Sequence, residues 1–108
     1  MAYLRLKKQA DFQKLFQKGK RVYTPSFTLL YKPSKQTTFG ISLGKKHGKS
    51  VVRNRVKRLL REAFRAALPN MQGTYSLVVV PKAKENKNEY NYHEYEKHFL
   101  FVIKKEKL

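Results

Sequence analysis

Cysteine is absent from this 108-residue chain. A disulfide scaffold, a cysteine-ligated zinc ribbon and a thiol enzyme are therefore excluded. Acidic residues are scarce, 7 against 25 Lys+Arg. Long apolar runs are missing too. The longest are Leu77–Val80 and Phe99–Ile103, well below the roughly 18 consecutive apolar residues of a membrane-spanning helix. The first residues, Met-Ala-Tyr-Leu-Arg-Leu-Lys-Lys, contain no apolar core of signal-peptide length. There is no internal repeat and no long low-complexity stretch. These absences predict a soluble, cytoplasmic chain.

The hydrophobic content of 41% and aromatic content of 13% suffice for one modest core. One domain over residues 1–108 is expected. The net charge is +18 at pH 7, which favours a polyanionic partner. That charge is uneven. Residues 1–70 hold 18 Lys+Arg and two acids, Asp11 and Glu62, whereas residues 71–108 hold 7 Lys and 5 Glu. A solvated surface usually mixes signs. The first two-thirds instead points to nucleic acid, with an anionic membrane surface as the weaker rival.

Apolar spacing at Phe12, Leu15 and Phe16, ending at Gly19, predicts a helix over 9–18. Strands follow at Ser26–Tyr31 and Phe39–Leu43, expected to be antiparallel to each other, with a polar turn over Lys32–Thr38. Gly44-Lys-Lys-His-Gly48 is a basic loop. Ser50 is placed as the N-cap of a long helix reaching Leu68, which Pro69-Asn70 terminates. Tyr75–Val80 is a buried-type strand ended by Pro81. Asn91, with Glu94 three residues on, starts a last helix. Its stripe is Tyr92, Tyr95, Phe99, Val102 and Ile103, with both tyrosines read as core anchors. The order is α, β, β, α, β, α, with room for a short extra strand near Lys20–Tyr23. The class is α+β, a sandwich with helices on a small sheet.

The long helix carries the chemistry. At about 100° per residue, Val52, Val56, Leu59, Leu60, Ala63 and Ala67 form a core-facing stripe. Asn54, Lys57, Arg58, Arg61 and Arg65 lie opposite, flanked by Arg53 and Arg55. Cations spaced i, i+4 repel by a few tenths of a kcal/mol per pair in an isolated helix, a cost that a polyanion offsets. Arginine suits bidentate phosphate contacts. Lys45, Lys46 and Lys49 extend the surface, and backbone N–H groups at a helix start favour phosphate.

Gly48-Lys-Ser-Val-Val-Arg-Asn-Arg-Val-Lys-Arg-Leu-Leu-Arg-Glu-Ala-Phe-Arg65 resembles the protein subunit of bacterial ribonuclease P, whose hallmark Arg-Asn-Arg run stands here as Arg53-Asn54-Arg55. Leu6–Gly19 resembles that family's first helix, and Phe39–Lys46 its central strand and basic loop. Tyr75–Pro81 resembles its later strand, with Pro81-Lys82 where the family usually has Ala-Arg. The resemblance covers residues 5–81 by motif. It implies an αβββαβα order with a left-handed βαβ crossover, like a ribosomal protein domain. It implies two RNA partners, ribonuclease P RNA and precursor tRNA, and no small-molecule substrate. The protein would assist removal of the tRNA 5′ leader while the RNA performs the hydrolysis. Mg2+ would be required by the ribonucleoprotein, with no cofactor bound by the protein alone.

By that resemblance Lys45, Lys46, Arg53, Asn54, Arg55, Lys57, Arg58 and Arg61 contact the catalytic RNA. The helix pattern adds Lys49 and Arg65. Phe12 and Phe16 match the family's cleft for the single-stranded leader, and aromatic faces stack bases. Strand alternation gives Phe27, Leu29 and Tyr31 to the core, and places Leu30 with Thr28 and Lys32 on the cleft side. A structured-RNA-binding protein of ribosomal type is the alternative. A self-sufficient nuclease would need clustered carboxylates or a histidine pair. Asp11 and Glu62 do not pair in sequence, His93 and His98 do not align on a helix face, and His47 reads as a phosphate contact. The protein alone is expected to cleave nothing. A helix-turn-helix DNA reader is disfavoured because a strand leads into the basic helix.

Overall fold

The computed structural model describes residues 3–86 and 89–108. The elements are β1 (Leu4–Arg5), α1 (Gln9–Lys18), β2 (Lys20–Tyr23), β3 (Phe27–Pro33), β4 (Thr38–Ile41), a single 3-10 turn (Lys45–His47), α2 (Ser50–Ala67), a second such turn (Leu68–Asn70), β5 (Tyr75–Pro81) and α3 (Tyr92–Glu106). The αβββαβα order is present, preceded by a two-residue strand that the sequence reading missed.

The sheet order is β1-β4-β5-β3-β2. Here the sequence reading needs correction. β3 and β4 do run in opposite directions, as expected, but they are not a hairpin, because β5 lies between them, antiparallel to β3 and parallel to β4. Parallel neighbours need a crossover, and α2 supplies it. The apolar run Leu77–Val79 fits this central position, since it is buried on both faces. Boundaries also shift, and β4 spans Thr38–Ile41 rather than Phe39–Leu43. β3 runs on through Pro33, opposite Tyr75. Lys49, not Ser50, is the α2 N-cap, and no side chain caps it. The Ser50 hydroxyl instead accepts from Arg53 Nη2 at 3.2 Å.

Strand alternation sorts the core. Leu29, Tyr31, Leu77, Val79 and Phe39 join Val56, Leu60, Ala63 and Phe64 of α2 and Tyr95, Phe99 and Val102 of α3. Phe39 and Phe64 stack at 4.1 Å between ring centroids, and Phe99 meets both edge-on. Tyr95 is fully in this core, whereas Tyr92 is only half-buried. Phe64, outside the predicted stripe, is central to it. At the other end of α3, Glu106 accepts from the Tyr31 hydroxyl at 2.6 Å and pairs with Lys20 at 2.7 Å. Asn91 caps α3 as expected, its side chain accepting from the Glu94 N–H.

The opposite face is thinner. The register Leu30↔Val78 and Val78↔Gly40 puts these three on one side. A Cβ built on Gly40 would meet the Phe12 ring at 2.7 Å, so this is the face α1 covers. Leu15, Leu30 and Val78 are buried there.

Candidate nucleic-acid interface

β1 is too short to cover β4. It pairs with Thr38 and Phe39 only, so no strand lies beside Gly40 and Ile41, although Gly40 is buried and Ile41 half-buried. A groove of about 260 Å³ crosses that edge, from Phe12 and Leu6 on the α1 side to Lys57 and Arg61 on the α2 side. Gly40 forms its saddle, where any side chain would strike Phe12. A second hollow of about 360 Å³ continues from the shared residues Ile41 and Lys57 to Ser50, Arg53 and Asn54. Arg5 and Lys7 border the first. The lining thus holds Arg5, Lys7, Arg53, Lys57 and Arg61 with no acid among them.

This concentration has an electrostatic signature. Burial, reinforced by the neighbouring Arg5 charge, lowers the Arg61 pKa from its ordinary value. Two guanidinium groups held near one another in a partly desolvated groove favour an anion between them. Arg53 Nε is buried without a hydrogen-bond partner among the described residues, and the N-terminus of α2 has no side-chain cap.

The structure divides the expected site residues. Arg53, Asn54, Lys57 and Arg61 come together with Phe12 along the groove. Lys45, Lys46 and Lys49 are exposed on the connection leading into α2, and Arg58 and Arg65 are exposed on α2. Arg55 turns instead toward α3, where its charge acts on the Tyr95 hydroxyl, whose pKa burial raises. Phe16 lies half-buried toward β2, its carbonyl accepting from Arg21 Nη2 at 3.1 Å, outside the groove.

Two expectations are corrected. Leu30 is 1% exposed, so it is packed beneath α1 and offers no surface to a ligand. His47 is also 1% exposed and is no phosphate contact. Its Nε2–H donates to the Pro81 carbonyl at 2.6 Å, and its Nδ1 accepts from the Gly44 N–H at 3.0 Å. It fixes the basic turn to the end of β5. His98 is likewise engaged, with Ser26 Oγ at 2.6 Å. Sequence reasoning missed Arg5, Leu6 and Lys7. The alternation of apolar and basic residues from Leu4 to Lys7 was the available signal, since it is strand-like.

A small α+β domain with a strand edge walled by a cationic helix has the form of a nucleic-acid-binding protein. Residues 2–106 match the family model described as Ribonuclease P. The "Ribonuclease P protein component" of Natranaerobius thermophilus is 39% identical over 106 residues, covering 95% of this chain and 90% of that one. The RNase P protein from Thermotoga maritima superposes with a TM-score of 0.80 at 27% identity, over 94% of this chain and 96% of that chain. A Staphylococcus aureus RNase P protein mutant, described as having defective mRNA degradation activity, gives 0.78 at 29% identity over 95% and 87%. The chain belongs to the ribonuclease P protein family. It is therefore the protein component of a tRNA-processing ribonucleoprotein endoribonuclease, and its partner is RNA.

Proposed function

We propose that the cationic groove is where the chain meets both RNAs of a precursor-tRNA reaction. Lys45, Lys46, Lys49, Arg53, Asn54, Lys57, Arg58, Arg61 and Arg65 bind phosphates of the catalytic RNA, with Arg55 supporting them from the α3 side. The single-stranded 5′ leader runs past Phe12 and Gly40, with Phe16 on the outer side of α1. The observation that carries this reading is the continuity of the groove: Ile41 and Lys57 belong to both hollows, so one strand can touch Phe12 and α2 together.

The protein's part is binding and orientation. Lysine and arginine neutralise phosphates that would otherwise repel where leader and catalytic RNA converge. Among the described residues no group of three or more His, Cys, Asp or Glu is arranged to hold a metal ion. The Mg2+ of the reaction is assigned to RNA phosphates. Cleavage is assigned to the RNA and takes place in the cytoplasm.

The test is cleavage of a 5′-extended precursor tRNA at low Mg2+ by protein alone, by a bacterial ribonuclease P RNA alone, and by both. The expected result is cutting at the mature 5′ end in the combined reaction only. Arg58→Ala should weaken RNA docking, and Phe12→Ala should raise KM for leader-bearing substrate. Tight binding without stimulation would return the chain to general RNA binding. The mRNA degradation associated with the S. aureus protein makes the protein-alone arm informative, because cutting there would overturn the division of labour.

A further inference from the structure

Residues 71–108 are nearly balanced in charge, yet the fold separates the signs. Each acid of α3 already has a partner. Glu94 pairs with Lys84 at 3.2 Å. Glu96 accepts from the Tyr92 hydroxyl at 3.2 Å. Glu106 is held by Tyr31 and Lys20. Beyond His93 the exposed residues are Lys97, Leu100, Phe101, Lys104 and Lys105, whose i, i+3/i+4, i+7/i+8 spacing places them on one face. Phe101 is 49% exposed, with Lys105 Nζ 5.7 Å from its ring centroid.

Beside this face lies a cavity of about 590 Å³. Leu100, Ile103 and Leu108 give it apolar walls, the Asn70 and Gln72 side chains give it amides, and Lys104 and Lys107 stand at it as cations. The Leu108 carbonyl is already satisfied by the N–H groups of Gln72 and Gly73. Asn70 lies beyond the C-terminus of α2, nine residues past Arg61, the last α2 residue of the groove. At 1.5 Å per residue that is about 13 Å along the axis, and the cavity shares no lining residue with the groove.

We propose that α3 carries a second RNA contact: the cavity receives one unstacked nucleotide of the large partner RNA, with its flanking phosphates on Lys104 and Lys107 and a neighbouring base on the Phe101 ring. This rests on the reading that the chain works inside a ribonucleoprotein. Apolar walls with amides suit a base, and surrounding cations suit its backbone. Charge complementarity selects RNA over protein. Lysine is depleted in protein interfaces, and a second copy packed face to face would bring the same lysines together.

The absence of cysteine allows a direct test. A hydroxyl-radical source is attached to Lys97→Cys, and separately to Lys49→Cys. Each protein is assembled with a transcribed bacterial ribonuclease P RNA. Lys97→Cys should cut one short unpaired RNA segment distinct from the segment cut from Lys49→Cys. In parallel, the double variant Lys104→Ala, Lys107→Ala should bind the RNA more weakly and reduce the log–log salt slope by about 1–2. Phe101→Ala should weaken binding about tenfold with an unchanged melting temperature. Cuts from position 49 with none from position 97, or unchanged affinity and slope, would overturn the α3 contact alone. Absence of cuts from both positions would overturn it together with the groove reading. A doubled mass in solution with no cuts from position 97 would assign the face to a second copy and overturn it as well.

Discussion

The two faces of the sheet are built to different thicknesses. On one, α2 and α3 lie side by side over a continuous core of stacked aromatic rings. On the other, ten-residue α1 alone covers a strip with Leu15, Leu30 and Val78 at its centre. The thick face carries the stability. The thin side leaves the end of β4 without a partner strand, and that edge is where cations and an aromatic ring converge. α2 belongs to both, with apolar residues toward the core and basic ones toward the groove. Recognition is thereby supported by the best-packed helix of the molecule without using its core side chains.

The contrast can be broken most severely from the thick side. Phe64→Ala removes a fully buried ring stacked on Phe39, and should cost about 3–5 kcal/mol. Chemical denaturation should show a lower midpoint, with RNA binding lost in parallel. At the saddle, Gly40→Val forces a side chain against Phe12. Overpacking of this kind costs about 1–3 kcal/mol, and leader affinity should fall as Phe12 is displaced, as read by fluorescence titration with a leader oligonucleotide.

Arg61→Ala sharpens the comparison, because it should affect one property only. Stability should hold or rise slightly, since the Arg5 repulsion is relieved. RNA affinity should fall several-fold, with the salt slope smaller by about 0.7–0.9 for one lost phosphate contact. The smallest effect concerns His98. Burial depresses its pKa below the ordinary 6.5, so the fold favours the neutral ring. Its contribution is present above about 6.5, the unfolded value, and is lost as pH falls through the folded pKa, because the unfolded chain takes up the proton first. The melting temperature should drop modestly between neutral and mildly acidic pH, and His98→Gln should flatten that drop.

Local pattern made much of this legible. The α2 stripe from Val56 to Ala67, the Asn91 cap and the run at Leu77 are each encoded within a few residues. The cationic side of α2 follows from the same period. What escaped depends on distant partners. That β5 separates β3 from β4 follows from the crossover, not from either strand's composition. Leu30 shares its alternation with solvent-facing positions, and only the seat of α1 decides that it is covered. His47 reads as a charge in a basic loop until the Pro81 carbonyl, 34 residues away, is seen to accept a hydrogen bond from its ring. The alternation from Leu4 to Lys7 spans four residues, of which β1 takes two, a signal short enough to pass over, and with it went Arg5 and Lys7.

The insertion of β5 between β3 and β4 also bears on synthesis. The β2–β3 hairpin closes within 14 residues, from Lys20 to Pro33, whereas β4 has only the two-residue β1 beside it until residues 75–81 arrive. Closing that long loop is the slow topological step. A ribosome-bound chain that has emerged only as far as α2 already displays most of the basic residues, but not the strand edge that aligns them. Ordered engagement of a structured RNA must then await the second half of the polypeptide, while looser attraction to any polyanion begins earlier.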